Sequence, residues 1–285
     1  MYTIEQIDIE DVKLNDKTKY NTNNHWADDV MPKDYAEINK LTETNKWINL
    51  FRKLYVTVNF DVTDLSILKS MYNVCLLKNC ISTLYEDELE YLVNKYKYVD
   101  DYLKVNGGHF VRCENVSLKY GKNGCIPYKS FKWILESIVT SPIGHSPLNE
   151  KTTELRLYLI PWITIHKFKE FRVFVYKNQI TAISQQHLYE SNKLLLELEE
   201  DERKDLISTW IDIITNYFNV YVKHEISFLS NYVYDFAILE DDKPYFIEIN
   251  PFGKEYSSGS SLFHWLTDES KLYNVEGQIF FRYCM

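Results

Sequence analysis

Residues 233–250, VYDFAILEDDKPYFIEIN, constrain this chain more than any other stretch. Apolar and polar residues alternate on both sides of an acidic turn at 240–243, the pattern of a β-hairpin with one buried face. Centring the turn on Asp241 and Asp242 predicts Tyr234 opposite Ile249, Phe236 opposite Ile247 and Ile238 opposite Tyr245. That face is apolar and belongs in a core. The same register sets Asp235 opposite Glu248 on the other face, and Asn250, two residues beyond Glu248, shares it. Facing carboxylates repel unless a cation lies between them. Two carboxylates and an amide oxygen are hard ligands that suit magnesium, which fills its remaining positions with waters and phosphate oxygens. An exposed face with solvated acids meets the same pattern, so the pairing alone leaves both readings open. Pro251 then ends the strand and Gly253 permits a sharp turn, which sets Asn250 at a sheet rim.

A second hairpin is predicted over residues 170–184, with Lys177-Asn178 as its turn. Even spacing puts Phe171, Val173 and Val175 on one face with Ile180, Ala182 and Ser184. Glu170, Arg172 and Phe174 share the other face with Thr181, Ile183 and Gln185, and Glu170 faces Gln185. Arg172, inside a strand and near Glu170, is either half of a structural ion pair or an anion ligand. Its planar fork suits phosphate. Lys104 is the other basic candidate, on a short strand expected at 101–105 before the loop Asn106-Gly107-Gly108. A lysine before a Gly-rich loop can reach a nucleotide phosphate. No Walker pattern accompanies it, and a surface lysine has the same sequence.

Helices are expected over 34–50, 64–77, 86–98 and 130–138. In the last of these, Phe131, Ile134, Leu135 and Ile138 recur on one side. A further helix at 202–218 has Leu206, Ile207, Trp210, Ile211, Ile214 and Phe218 as its apolar stripe, which is core packing. Residues 154–165 read as a strand bent near Pro161. Antiparallel hairpins backed by helices make an α+β fold. Two parts are expected: residues 1–160, of which 1–95 are the least legible, and residues 161–285 with both hairpins.

Composition narrows the function. The chain has 285 residues and a net charge of −9, which argues against bulk nucleic-acid binding. Aromatic residues reach 15%, alongside abundant Asn, Ile and Lys, and this reads as compositional bias rather than a base-stacking surface. Five cysteines, Cys75, Cys80, Cys113, Cys125 and Cys284, form no CxxC pair and suit reduced thiols in a cytoplasmic setting. The acidic N-terminal residues lack an apolar core, so no signal peptide is expected, and no apolar run approaches a membrane span.

The order of several segments resembles the cell division cycle protein 123 family, a branch of the ATP-grasp superfamily. The segments are Lys104-Val105-Asn106; SFKWILESIVTSPI at 130–143; Trp162, eight residues before Glu170-Phe171-Arg172; Ile183-Ser184-Gln185; Val233-Tyr234-Asp235-Phe236; FIEINPFG at 246–253; and SLFHW at 261–265. The resemblance covers roughly residues 100–285. It implies two α+β lobes that grip ATP, with Lys104 and Arg172 meeting phosphates and Glu170 and Gln185 beside them. It implies Asp235, Glu248 and Asn250 as magnesium ligands, and a hinge around Leu159–Trp162 whose backbone reads the adenine edge. It also implies an assembly chaperone for translation initiation factor 2, acting on the gamma subunit. An ATP-grasp ligase working through an acyl phosphate, or a pseudo-enzyme holding ATP as a structural ligand, is the alternative. Three departures stand out. The family commonly has Asp where this chain has Glu248. Ile160-Pro161 replaces the basic residue usual before the Trp. GGHFVR follows where the family has a Trp-containing loop.

Overall fold

The computed structural model describes residues 1–23, 30–78, 81–105, 107–256 and 258–285; Cys80 and Asn106 lie outside them. The chain forms two compact units, Met1–Phe51 with Thr164–Met285, and Arg52–Ile163. The expected division at residue 160 is thus corrected at the other end of the chain. Residues 1–51 pack with the C-terminal part, because the first strand joins the last one.

That first unit is built on a six-stranded sheet. Its strands are β1 (Tyr2–Ile7), β5 (Glu170–Tyr176), β6 (Gln179–Gln185), β7 (Tyr232–Ile238), β8 (Pro244–Pro251) and β9 (Ile279–Cys284). Their order is β1-β9-β6-β5-β7-β8. β9 runs parallel to both β1 and β6, and the remaining pairs are antiparallel. Both hairpins form where expected. Lys177 and Asn178 take positive φ values of 48° and 58°, the turn geometry that matches strand twist in a two-residue hairpin.

The registers depart from even spacing at one point in each hairpin. In β5–β6, Arg172 pairs with Ser184 and Phe171 with Gln185, and the register shifts between Phe174 and Val175. The expected pairing of Glu170 with Gln185 is therefore corrected: Gln185 projects from the face opposite Arg172. In β7–β8, Asp235 pairs with Glu248 and Tyr234 with Ile249 as predicted. A bulge after Asp235 then sets Phe236 against Phe246 and Ala237 against Tyr245, in place of Ile247 and its predicted neighbours. Next to the turn Ile238 pairs with Pro244, one residue off the predicted Tyr245, and the bulge cancels that offset so that Asp235 and Glu248 meet as predicted.

One face of this sheet carries Phe171, Val173, Tyr234 and Phe236, all buried. The helix Glu200–Tyr217 covers it, with Ile207, Trp210, Ile211 and Ile214 buried, and continues as a π-helical turn, Phe218–Val222. The rings of Phe171 and Trp210 lie 5.4 Å apart. The expected helix at 34–50 is split into Tyr35–Leu41 and Thr44–Phe51.

The second unit holds a three-stranded sheet in the order β2-β4-β3, from β2 (Val56–Asn59), β3 (His109–Arg112) and β4 (Arg156–Pro161). Helices Val62–Lys78, Glu86–Lys95 and Phe131–Thr140 pack with it around one core, to which Phe131, Ile134, Leu135 and Ile138 contribute. The strand expected at 101–105 is a helix, Lys97–Val105. Val99 and Leu103, four apart, are both buried, and a five-residue window hides that helical spacing. No helix among the described residues is long and apolar enough to cross a membrane.

Candidate functional site

Strand pairing brings a row of polar residues across the whole six-stranded sheet. Glu5 pairs with Arg282, Arg282 with Ser184, Ser184 with Arg172, Arg172 with Asp235, and Asp235 with Glu248. Residues in register share a face, so these six side chains rise from one side. The next row along the same face contains Asn250, Val233, Phe174 and Ala182. Phe174, Ala182 and Val233 are buried there under Phe252, Phe263, Trp265 and Leu272. The polar row therefore begins where the apolar cover ends.

Arg172 is the centre of the row. Its Nε donates to Asp235 Oδ1 and its Nη2 to Asp235 Oδ2, both at 2.8 Å, a side-on fork. Nη1 donates to the Gly259 carbonyl at 2.8 Å. The pair is buried: side-chain exposure is 11% for Arg172 and 4% for Asp235. Burial works against the guanidinium charge, but Asp235, Glu248 and Glu170 together hold its pKa above the ordinary arginine value. The choice the sequence left open is thus answered on one side, since Arg172 does form an ion pair. Its partner is Asp235 on the neighbouring hairpin rather than Glu170 on its own strand. Two of its five N–H groups make no bond among the described residues.

Asp235, Glu248 and Glu170 all act electrostatically on the Arg172 guanidinium. Asp235 is buried, and Glu248 and Asn250 are half-buried. Asn250 Nδ2 is a buried donor with no hydrogen-bond partner among the described residues, a cost the fold bears at this spot. Carboxylate oxygens beside a buried amide whose Nδ2 has no partner among the described residues fit a hard divalent cation such as magnesium. Asp235, Glu248 and the Asn250 amide oxygen would hold it. Among the described residues no cluster of three or more His, Cys, Asp or Glu suits a metal, so the amide is needed as third ligand.

The other expected residues fall elsewhere. Glu170 pairs with Ala237, two positions from Arg172, and so shares its face. Gln185 is fully buried and spends its amide on structure. Its Nε2 donates to the carbonyls of His187 and Glu190, while its Oε1 accepts from Asn192 Nδ2 and the Cys284 amide. That set fills the amide's capacity and ties down the loop after β6, leaving nothing for a nucleotide. Leu159 is buried in the core of the second unit and pairs with Val56 on one side and Val111 on the other. The Trp162 amide donates to the Gly108 carbonyl at 3.2 Å. The Leu159 backbone is thus paired within the sheet, and the Trp162 N–H is engaged with Gly108. Lys104 lies exposed near the end of its helix, ion-paired to Asp100 one turn earlier, which raises its pKa. Neither Gly259 nor Ser184 was legible as part of the site, because a carbonyl contact and a hydroxyl in a strand leave no spacing signal.

These features define an α+β protein whose main sheet presents a buried Arg–carboxylate fork beside a second carboxylate and an amide. Within that class the comparisons are specific. The D123 family model matches residues 134–284, more than half of the chain, and the chain belongs to the D123 (Cdc123) family. The match spans every candidate residue except Lys104. The structure of Cdc123 from Schizosaccharomyces pombe is similar with a TM-score of 0.59 and 19% identity, over 86% of this chain and 97% of that one. A C-terminally truncated form of the same yeast protein gives a TM-score of 0.58 at 19% identity, with the same coverage of 86% and 97%. At that identity the likeness speaks for the fold. No curated protein matches the chain by sequence.

Proposed function

We propose that this protein binds ATP with magnesium, in the manner of an ATP-grasp protein, and acts in the cytoplasm as an assembly chaperone for translation initiation factor 2 through its gamma subunit. One observation carries the reading: Asp235 and Glu248 pair across one hairpin, with Asn250 on the same face and Arg172 forked onto Asp235. Family membership adds the partner as a proposal. Magnesium, when bound, would screen the charge of the nucleotide phosphates. Asp235, Glu248 and Asn250 supply its oxygen ligands. Arg172, held by Asp235, offers its two uncommitted N–H groups to a phosphate oxygen. The buried fork keeps that guanidinium in place before any ligand arrives, so little ordering entropy is lost on binding.

Isothermal titration calorimetry with ATP, with and without magnesium, tests the nucleotide site. A saturable heat that requires magnesium is expected, and no binding under either condition sinks the reading. Phosphate release and pull-down with the gamma subunit then separate the roles. Capture without turnover supports the chaperone. Turnover stimulated by a small carboxylate or amine, without capture, replaces it with a ligase.

A further inference from the structure

We infer that Gly259 and the strap formed by residues 20–22 position Arg172 for phosphate binding, an inference that rests on the nucleotide reading above. The argument begins with what holds the loop at 258–265. Ser258 Oγ donates to the Pro251 carbonyl, and Trp265 Nε1 donates to the Ser258 carbonyl at 2.8 Å. The Leu262 amide donates to Ser184 Oγ at 3.1 Å, and Ser184 is the residue paired with Arg172 across β5–β6. The N-terminal segment crosses the same loop. Asn21 N donates to the Ser261 carbonyl at 2.6 Å, Ser260 N to the Thr22 carbonyl at 2.9 Å, and Thr22 N to Ser260 Oγ at 2.9 Å. The Thr22 hydroxyl accepts from the Trp265 amide at 3.2 Å.

This lacing fixes the Gly259 carbonyl 2.8 Å from Arg172 Nη1. Asp235 grips the guanidinium along its Nε–Nη2 edge, and the Gly259 carbonyl catches Nη1. The planar group is therefore anchored through Nε, Nη1 and Nη2, which leaves one N–H on each of Nη1 and Nη2. Gly259 has no room for a side chain. A Cβ there would lie 2.8 Å from Asn21 Oδ1 and 3.3 Å from Arg172 Nη1. Asn21 cannot yield freely: it sits at φ 49°, and its Nδ2 donates to Tyr189 Oη at 3.0 Å. The absence of a side chain at 259 thus lets strap, loop and guanidinium meet. Arg172 touches the phosphate; Gly259 and Asn21 act through it.

The test is calorimetric titration of ATP with magnesium on the full chain, for wild type, Gly259→Ala and the double variant Asn21→Gly/Gly259→Ala. Gly259→Ala is expected to weaken binding about tenfold, the worth of one charge-assisted hydrogen bond. The double variant removes the nearer obstacle, keeps a residue that tolerates positive φ at 21, and is expected to recover most of the loss. A second readout is the Arg172 Nε–H resonance, assigned by its disappearance in Arg172→Lys. It should shift or broaden in Gly259→Ala and return in the double variant, which a merely destabilised loop would not produce. Should Gly259→Ala fail to fold, the double variant against wild type carries the comparison, and unrecovered affinity in it counts against the inference. Binding by wild type that Gly259→Ala leaves unchanged overturns the inference alone. Absence of binding in wild type overturns the nucleotide reading and this inference with it.

Discussion

Asp235→Ala is expected to destabilise the protein far more than the loss of a surface acid would. The substitution strips Arg172 of both oxygens of its fork and leaves a guanidinium with 11% side-chain exposure, bonded among the described residues to the Gly259 carbonyl and acted on electrostatically by Glu248 and Glu170. Removing one partner of a buried ion pair costs about 3–5 kcal/mol, because the remaining charge stays desolvated. For a unit of this size that corresponds to a fall in Tm of roughly 6–20 °C. Replacing both partners, as in Arg172→Met/Asp235→Leu, removes the stranded charge and should recover at least half of the loss, since apolar substitutes for a buried pair are often neutral. Urea unfolding followed by near-UV circular dichroism gives both numbers. A loss below about 1 kcal/mol for Asp235→Ala, typical of an exposed pair, would refute the argument. So would a double variant no more stable than the single one. The consequence for function is practical: weak nucleotide binding by Asp235→Ala would mix loss of the proposed metal ligation with lost structure.

Asn250→Ala separates the two effects. Its Nδ2 makes no bond among the described residues, so the change should leave Tm nearly unaltered while magnesium-dependent ATP binding weakens; wild-type affinity would remove Asn250 from the metal site. Gly121→Ala should lower stability by about 1–3 kcal/mol through overpacking, because a Cβ there would lie 2.4 Å from the Ser137 carbonyl oxygen; an unchanged urea midpoint would show that the turn relaxes at no cost. His109 is fully buried, and burial pushes its pKa below the usual 6.5. The unfolded chain then takes up the proton first, so His109's contribution to stability is complete above about pH 6.5 and declines as pH falls below that value. Unfolding midpoints from pH 8 to pH 5 should show a decline that His109→Gln reduces, and an equal slope in both proteins would contradict the assignment.

Much of the main sheet was legible because alternation is local. Counting back from a turn centred on Asp241 and Asp242 pairs Asp235 with Glu248, and this survives because the pairing next to the turn, Ile238 with Pro244, is one residue off the prediction and the bulge after Asp235 cancels that offset. The first hairpin was less fortunate. Its bulge shifts the whole segment before Phe174, which moves Gln185 to the far face and into a structural role. A bulge answers to sheet twist and to packing on both faces, neither of which an alternating pattern records. Lys104 was misplaced on a strand because Val99 and Leu103, four apart, are needed to see the helix.

The sequence by itself determined the two hairpins, the apolar stripe of the long helix, the acidic pair and the resemblance to a family, all of which follow from spacing within a few residues or from motif order. Only the tertiary structure decided that β5 and β7 are neighbours, and with it that Arg172 is forked onto Asp235. Tertiary packing likewise decided that residues 1–51 join the C-terminal unit, where residues 20–22 strap the loop at 259 against that arginine. Strand adjacency and loop crossing are settled by burying surfaces far apart in the chain, and no local pattern encodes them.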